Sequence, residues 1–359
     1  MNLQQAIAEF LEHGQTVRNL SDRTLRAYQS DLSQFHHHVS DTRVDDITAD
    51  DLDLAHLLED AVVPPLGQEP ERRHDLELVG GEPFGLDPGQ PVAKAALDLA
   101  AHDLVCRKLG INLQSWLGAK GADRIELSWL VSAPDVEGTA KSVEQGLAEG
   151  YRAFKVKVGH EPKLDIERVR KVLELAKGST VWPDANQGYT LADALAAARG
   201  FEALGIELFE QPIPMSDFYG MKKLLSATRL TICLDEAAMG LPLVIDLIRR
   251  EAVEGLVIKV NKTGGIHYAR QLCDLARNAG LRLIGSGLMD APIGFAASVH
   301  LFAAYGIDYP CDLNGPQHIA ADYLAEPLPR EGRFALVPQR PGLGVVMDEG
   351  KVASMSLKL

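Results

Sequence analysis

Eight short β-rich runs recur along this chain at intervals of about one helix, and that rhythm limits the folds open to it. The runs are IELSWLVS (125–132), AFKVKVG (153–159), TVWPDAN (180–186), ELFEQPI (207–213), LTICLDE (230–236), GLVIKVN (255–261), LRLIGSG (281–287) and GIDYPCDL (306–313). Between them lie helix candidates such as VEGTAKSVEQGLAEG and LADALAAARGFEALG, with apolar residues at three- and four-residue steps. Eight strands alternating with helices predict an α/β fold, a closed parallel (β/α)8 TIM-type barrel over residues 124–325. An open doubly wound sheet is the alternative, but no glycine-rich phosphate loop follows the first run.

In a parallel barrel the C-terminal ends of the strands converge on one mouth. Here those ends are polar. The third run ends in Asp184 and Asn186, the fourth in Glu210 and Gln211, the fifth in Asp235 and Glu236. Three carboxylates on successive strand ends repel one another unless something neutralises them. A hard divalent cation does so: Mg²⁺, with Mn²⁺ as a substitute, accepts carboxylate, water and substrate oxygens. Helix capping or pairing with lysine is the alternative for each carboxylate taken singly.

Lysines flank this acidic centre. Lys155 and Lys157 are two residues apart in the second run and therefore share one face of a strand. Lys259 lies in the sixth run. A substrate held over the carboxylates would meet lysine on two opposite sides. The lysines then serve as acids and bases, or they form structural salt bridges to the carboxylates; both readings suit the same arrangement. Removing a proton α to a carboxylate builds negative charge on the carboxylate oxygens, which a metal stabilises. The base must be neutral, and a neighbouring ammonium such as that of Lys155 favours a neutral Lys157.

The ordered set KVK, DAN, EQP, DE and KVN closely resembles the enolase superfamily, in its muconate lactonizing enzyme branch, which stands beside the mandelate racemase branch. The spacings agree: 26 residues from Asp184 to Glu210, 25 to Asp235 and 24 to Lys259, each about one βα unit. A lysine or histidine base working beside Mg²⁺ is general to that superfamily. The resemblance implies that Asp184, Glu210 and Asp235 bind Mg²⁺, that Lys157 assisted by Lys155 is the base on one face, and that Lys259 serves the other. The mandelate racemase branch uses a His–Asp dyad; the seventh run here ends GSGLMD without histidine, which favours a lysine/lysine site. Asn186, Glu236, Asn261, Ser286, Asp290, Asp312 and Asn314 follow the strands where substrate or the catalytic groups are contacted. Asn261 orients a carboxylate or Lys259, or caps the next helix. Asp290 either faces substrate or is an N-cap, with Pro292 in the first turn.

The resemblance starts near Pro91. Residues 91–123 are similar to the helical part of the family's capping region, and 326–359 to the usual C-terminal return to it. The cap's antiparallel sheet, which selects substrate, has no counterpart, so the expected cap is incomplete and mostly helical. Residues 1–60 instead resemble the helical SAM-like core-binding domain of tyrosine recombinases and phage integrases, through Ser21, Thr24, Leu25, Tyr28, Asp31, Leu32 and Phe35 followed by ITADDL. Residues 61–90, rich in proline and glycine, read as a linker. The first sixty residues carry four Arg and no Lys against twelve Asp and Glu, a net of −8. Phosphate contacts need the opposite sign, so nucleic-acid binding is not expected.

The whole chain has a net charge of −14, which also argues against nucleic-acid or membrane-surface partners. Four scattered cysteines form no CxxC pair, and no signal peptide or membrane span is evident; a cytoplasmic protein with reduced thiols is expected. The stretch Ala291–Ile307 is the most apolar and is expected as a buried helix. The functional expectation is Mg²⁺-dependent abstraction of a proton α to a carboxylate through an enediolate. The substrate is a small organic acid or amino-acid derivative, and the outcome is cycloisomerisation, racemisation or epimerisation, or dehydration. LNGPQ is reminiscent of the family's hydroxyproline dehydratases. A metal-binding barrel impaired by its incomplete cap, and a DNA-associated protein acting through the N-terminal helices, are the competing readings. The resemblance also implies a homo-oligomer.

Overall fold

The computed structural model describes residues 91–118, 121–319 and 323–355. The integrase-like segment (1–60) and the linker (61–90) lie outside the described residues. Two helices come first, α1 (Pro91–Leu109) and α2 (Leu113–Trp116), then a short strand β1 (Arg124–Glu126). A seven-stranded sheet comes next, in strict chain order: β2 (Trp129–Val131), β3 (Ala153–Lys157), β4 (Thr180–Asp184), β5 (Leu208–Glu210), β6 (Thr231–Leu234), β7 (Gly255–Ile258) and β8 (Arg282–Gly285). Every neighbouring pair is parallel. Parallel neighbours need a crossover, and the intervening helices supply it: α3 (Val136–Ala148), α4 (Pro162–Leu175), α5 (Leu191–Ala203), α6 (Phe218–Ala227), α7 (Leu241–Arg249), and the single turn α8 (Val260–Thr263) with α9 (Ile266–Asn278). Beyond β8 come α10 (Pro292–Ala304) and the single turn α11 (Gly315–His318). Several helices begin on a side-chain cap, as where Asp135, Thr190 and Asp217 accept from the N–H of Gly138, Asp193 and Gly220.

The eighth run forms no strand of its own. Pro310 sits inside it and has no N–H to give a ladder. The two residues after the proline nevertheless bridge the gap. Cys311 donates its N–H to Glu126 O at 2.7 Å, and its carbonyl accepts from Ser128 N–H at 3.0 Å. Asp312 donates its N–H to Gly285 O at 3.0 Å, and its carbonyl accepts from Gly287 N–H at 3.0 Å. The curled sheet is thus linked back to its first strand, as the (β/α)8 reading requires. The first run also divides. After β1 the chain changes partners: Leu127 N–H donates to Arg333 O at 2.8 Å, and Ser128 turns to Cys311. β1 belongs to a separate antiparallel sheet with β9 (Arg330–Glu331) and β10 (Phe334–Leu336), in the order β1-β10-β9.

The period of two sorts the inner face of the barrel into layers. Ala153, Trp182, Leu208, Cys233, Val257, Ile284 and Tyr309 form one buried apolar cluster. Two residues further along the first six of these chain segments stand Lys155, Asp184, Glu210, Asp235, Lys259 and Ser286. An apolar plug therefore lies directly beneath a ring of charge, on the same face of the sheet. The larger core packs between the sheet and the outer helices. α10, apolar all round, is almost wholly buried, as expected for Ala291–Ile307. Among the described residues no helix is long and apolar enough to cross a membrane.

The helices before the barrel are tied to later parts of the chain. Leu113 N–H donates to Gly342 O at 2.9 Å, and Leu343 N–H to Asp103 Oδ1 at 2.7 Å. Asp98 of α1 accepts from Ile266 N–H at 2.6 Å and so caps α9 from another part of the chain. Gly265, at φ 121°, makes room for it: a Cβ there would lie 2.4 Å from the Asp98 carboxyl. A last helix, α12 (Glu349–Met355), ends the described chain.

Candidate active site

Both lysines of β3 point into the barrel. Lys155 is fully buried, and its Nζ lies 2.9 Å from Asp184 Oδ2, 2.7 Å from Glu210 Oε1 and 3.0 Å from Asp312 Oδ2. Burial alone would lower its pKa, but Asp184, Asp312 and Glu210 outweigh burial and raise it well above the ordinary lysine range. Lys155 is a sealed ammonium. Lys157, one strand step nearer the mouth, keeps 31% of its side chain exposed and donates to Asp184 Oδ2 at 2.7 Å and Asn186 Oδ1 at 2.6 Å.

The three carboxylates stand on consecutive strand ends. Asp184 and Glu210 are register partners, and Asp235 follows β6. Burial works against the charged form of Asp184, but Lys155 and Lys157 hold its carboxyl below the usual range. Asp235 is treated alike: Lys262 and Lys259 outweigh burial and hold it well below the usual carboxylate range. Glu210 goes the other way. Burial and the neighbouring Asp184 charge, with Asp235 behind it, push its carboxyl up to about 7 despite Lys155. Burial and a like charge thus oppose ionisation of Glu210, the middle carboxylate of the row.

Lys259, on the far side of the row, donates to Asp235 Oδ2 at 2.6 Å. Asn186 stands at φ 43° just past β4, donates its backbone N–H to Asp184 Oδ1 at 3.0 Å, and reaches Glu236 Oε1 with Nδ2 at 3.2 Å. Ser286 lies beside Asp312, its hydroxyl 3.4 Å from Oδ2. Asn261 orients a carboxylate, but that of Asp290, at 2.6 Å. Asp290 also accepts from Leu288 N–H and the Ser298 hydroxyl, so it fastens the loop after β8; Ala291 occupies the N-cap position of α10 and makes no side-chain cap. Buried Asp290 and half-buried Asn261 thus brace the loop after β8.

Three residues with clear roles in this arrangement carry weaker sequence signals. Lys262 donates to Asp235 Oδ1 at 2.6 Å, to the Asp235 backbone O, and to Val257 O at 3.3 Å. Its only sequence cue is its place one helical turn after Lys259. Burial draws its pKa below the usual lysine range in spite of Asp235. Trp182 donates its indole N–H to Glu210 Oε2 at 3.0 Å; the cue is its position two residues before Asp184. Gln211, at φ 34°, accepts from Asp235 N–H at 2.9 Å and ties β5 to β6.

Four buried side-chain polar atoms among the described residues lack a hydrogen-bond partner, and three of them belong to candidate site residues: Glu236 Oε2, Asp312 Oδ1 and Asn314 Oδ1. Buried acceptors without donors are costly unless water or a ligand supplies the missing bonds. Among the described residues no group of three or more His, Cys, Asp or Glu is arranged to hold a metal ion, because the carboxylates are turned onto lysines. The donor chemistry nevertheless fits a hard divalent cation: Asp184, Glu210 and Asp235 offer only oxygens from consecutive strand ends, and Glu236 Oε2 is unsatisfied.

Comparison with known proteins gives the family. A family model described as enolase C-terminal domain-like matches residues 138–351. The chain belongs to this family. A second model, the phage integrase N-terminal SAM-like domain, matches residues 7–61, outside the described residues. An L-Lys-D/L-Arg epimerase from Methylococcus capsulatus is 34% identical over 270 residues, 73% of this chain and 74% of that protein. A chloromuconate cycloisomerase from Cupriavidus necator is 30% identical over 271 residues, 74% of this chain and 72% of that protein. Among solved structures, muconate cycloisomerase from Pseudomonas fluorescens superposes with a TM-score of 0.70 at 28% identity, covering 73% of this chain and 74% of that one. The enolase superfamily relatives are enzymes, cycloisomerases on one side and racemases or epimerases on the other.

Proposed function

We propose that this chain abstracts a proton α to a carboxylate on a small amino-acid derivative and returns it on the opposite face, as a racemase or epimerase. One observation carries the reading: lysines stand at both ends of the row Asp184, Glu210, Asp235, Lys157 on β3 and Lys259 after β7. Asp184, Glu210 and Asp235 would hold Mg²⁺, or Mn²⁺ in its place. The bound cation would supply positive charge against the substrate carboxylate as negative charge develops there.

The chain's own residues do the rest. Lys157 is the partly exposed member of the lysine pair, so it can exchange its proton with solvent and act as the base. Lys155, sealed beneath it, keeps Asp184, Glu210 and Asp312 together as a fixed cation. Lys259 offers the proton on the opposite face. Asp312 Oδ1 and Asn314 Oδ1 are buried acceptors without donors, which suits a substrate bearing N–H or O–H donors over a dicarboxylate that has neither. A muconate-type cycloisomerisation is the second reading; it rests on the relatives of that name.

Proton exchange in D₂O tests this. The protein is incubated with Mg²⁺ and, separately, N-acyl amino acids, dipeptides, hydroxyprolines and cis,cis-muconate, and the α-proton is followed by NMR. Exchange into amino-acid derivatives that needs metal and disappears in Lys157→Ala or Lys259→Ala supports the reading. Turnover of muconate alone replaces it with the second. No exchange in folded, metal-bound protein overturns both.

A further inference from the structure

Asp235 is gripped by two lysines, and they are not equivalent. Lys262 reaches it from α8 with three acceptors around one Nζ: Asp235 Oδ1 at 2.6 Å, the Asp235 backbone O, and Val257 O at 3.3 Å. An ammonium has three N–H donors, so every one is used. Two of the acceptors are backbone carbonyls, which do not turn away. Lys259 has a single acceptor among the described residues, Asp235 Oδ2 at 2.6 Å, and stands at the end of β7 as the N-cap of the same turn.

We propose that Lys262 is a positioning residue that fixes Asp235 by Oδ1 and backbone, leaving Oδ2 as the oxygen offered to a divalent cation, and that Lys259 is the lysine that gives way when the cation enters. This rests on the reading of Asp235 as a metal ligand. The two lysines then act on metal affinity with opposite sign. Lys262 presents the carboxylate in a fixed orientation, as groups behind a ligand do. Lys259 competes for the same oxygen.

Calorimetric titration of the full chain with MgCl₂ reads this without a substrate. The wild type binds Mg²⁺. Lys262→Met is expected to weaken binding about tenfold, the lower end of what is lost when a group supporting a metal ligand is removed. Lys259→Met is expected to tighten it by about threefold or more, because a buried ion pair that competes for Asp235 Oδ2 is removed. Circular dichroism establishes that each variant is folded. Unchanged or tighter binding by folded Lys262→Met overturns the proposal, as does weaker binding by Lys259→Met. If Lys262→Met does not fold, a crystal structure of the Mg²⁺-soaked wild type decides. Asp235 still bonded to Lys262 and released by Lys259 supports the assignment; the reverse overturns it. A wild type that binds no Mg²⁺ overturns the metal reading itself, an outcome distinct from binding that Lys262→Met leaves untouched.

Discussion

Trp182 and Glu210 are joined by a 3.0 Å hydrogen bond from the indole N–H to Oε2, and this bond ties the apolar floor of the barrel to its charged ring. Lys155 holds the other oxygen, at 2.7 Å, so the carboxylate is fixed at both ends. Both side chains are fully buried. Trp182→Phe keeps most of the apolar volume but leaves Glu210 Oε2 without its donor. The expected loss is about 1–3 kcal/mol of unfolding free energy, the cost of one unsatisfied buried group plus a small packing change. Urea denaturation with an unchanged slope checks it; a variant as stable as the wild type would show that the bond adds nothing.

Asp165 holds the loops beyond β3 and β4 together. Its carboxylate accepts from Gly159 N–H and His160 N–H at 3.1 Å each and from the Tyr189 hydroxyl at 2.6 Å, while Arg168 donates to its other oxygen at 2.9 Å. Removing each partner has a different cost. Tyr189→Phe gives up one hydrogen bond, about 1 kcal/mol. Asp165→Ala strands the buried Arg168 and two backbone donors, and about 3–5 kcal/mol is expected. The measured order of midpoints in urea should be wild type, Tyr189→Phe, Asp165→Ala; equal losses would mean that Arg168 finds another partner.

Gly265 and Gly205 separate backbone strain from steric conflict. Both have positive φ, 121° and 78°. A Cβ at Gly205 meets nothing within 4 Å, whereas at Gly265 it falls 2.4 Å from the Asp98 carboxyl that caps α9. Gly205→Ala should cost about 1–2 kcal/mol, the left-handed penalty alone. Gly265→Ala should cost more, because it combines a conformation nearly restricted to glycine with displacement of the cap. Thermal unfolding of the two variants side by side measures the difference, and equal shifts would dismiss the role of Asp98.

What the sequence made legible was periodic. The βα rhythm and the polar strand ends pointed to the barrel, and the period of two turned Lys155 and Lys157 to the same face as Asp184. Contacts that depend on non-local approach were not legible. The last run reads as a strand by composition, yet Pro310 reduces it to two bridges. The first run reads as one strand, yet its two halves pair with different sheets. Asn261 meets Asp290 across 29 residues of chain, and Lys262 turns back to Asp235 across 27. Neither partner can be read from spacing alone, because a helix, a strand and loops intervene in each case.

His300 makes the last prediction. It lies on α10 with no exposure and bridges two other parts of the chain: Gln114 N–H donates to its Nδ1 at 3.2 Å, and Nε2 lies 3.2 Å from Leu343 O. Nδ1 must accept and Nε2 must donate, so the neutral ring with its proton on Nε2 satisfies both contacts. A second proton would face the Gln114 N–H. Burial pushes the pKa down to about 4, the Leu343 carbonyl and Asp103 opposing it only in part. The unfolded chain, with an ordinary histidine, takes up this proton near pH ~6.5. Since the folded value is the lower one, the contribution to stability is present above about pH 6.5 and is lost as pH falls toward about 4. At most about 3 kcal/mol is at stake over that window. His300→Gln cannot titrate, so the difference between its unfolding free energy and that of the wild type should shrink as pH falls from about 7 to about 4.5. Groups common to both proteins, Glu210 among them, cancel in that difference. Urea denaturation of both proteins at several pH values measures it; a difference that stays constant across the range would mean that His300 titrates alike in the folded and unfolded chain.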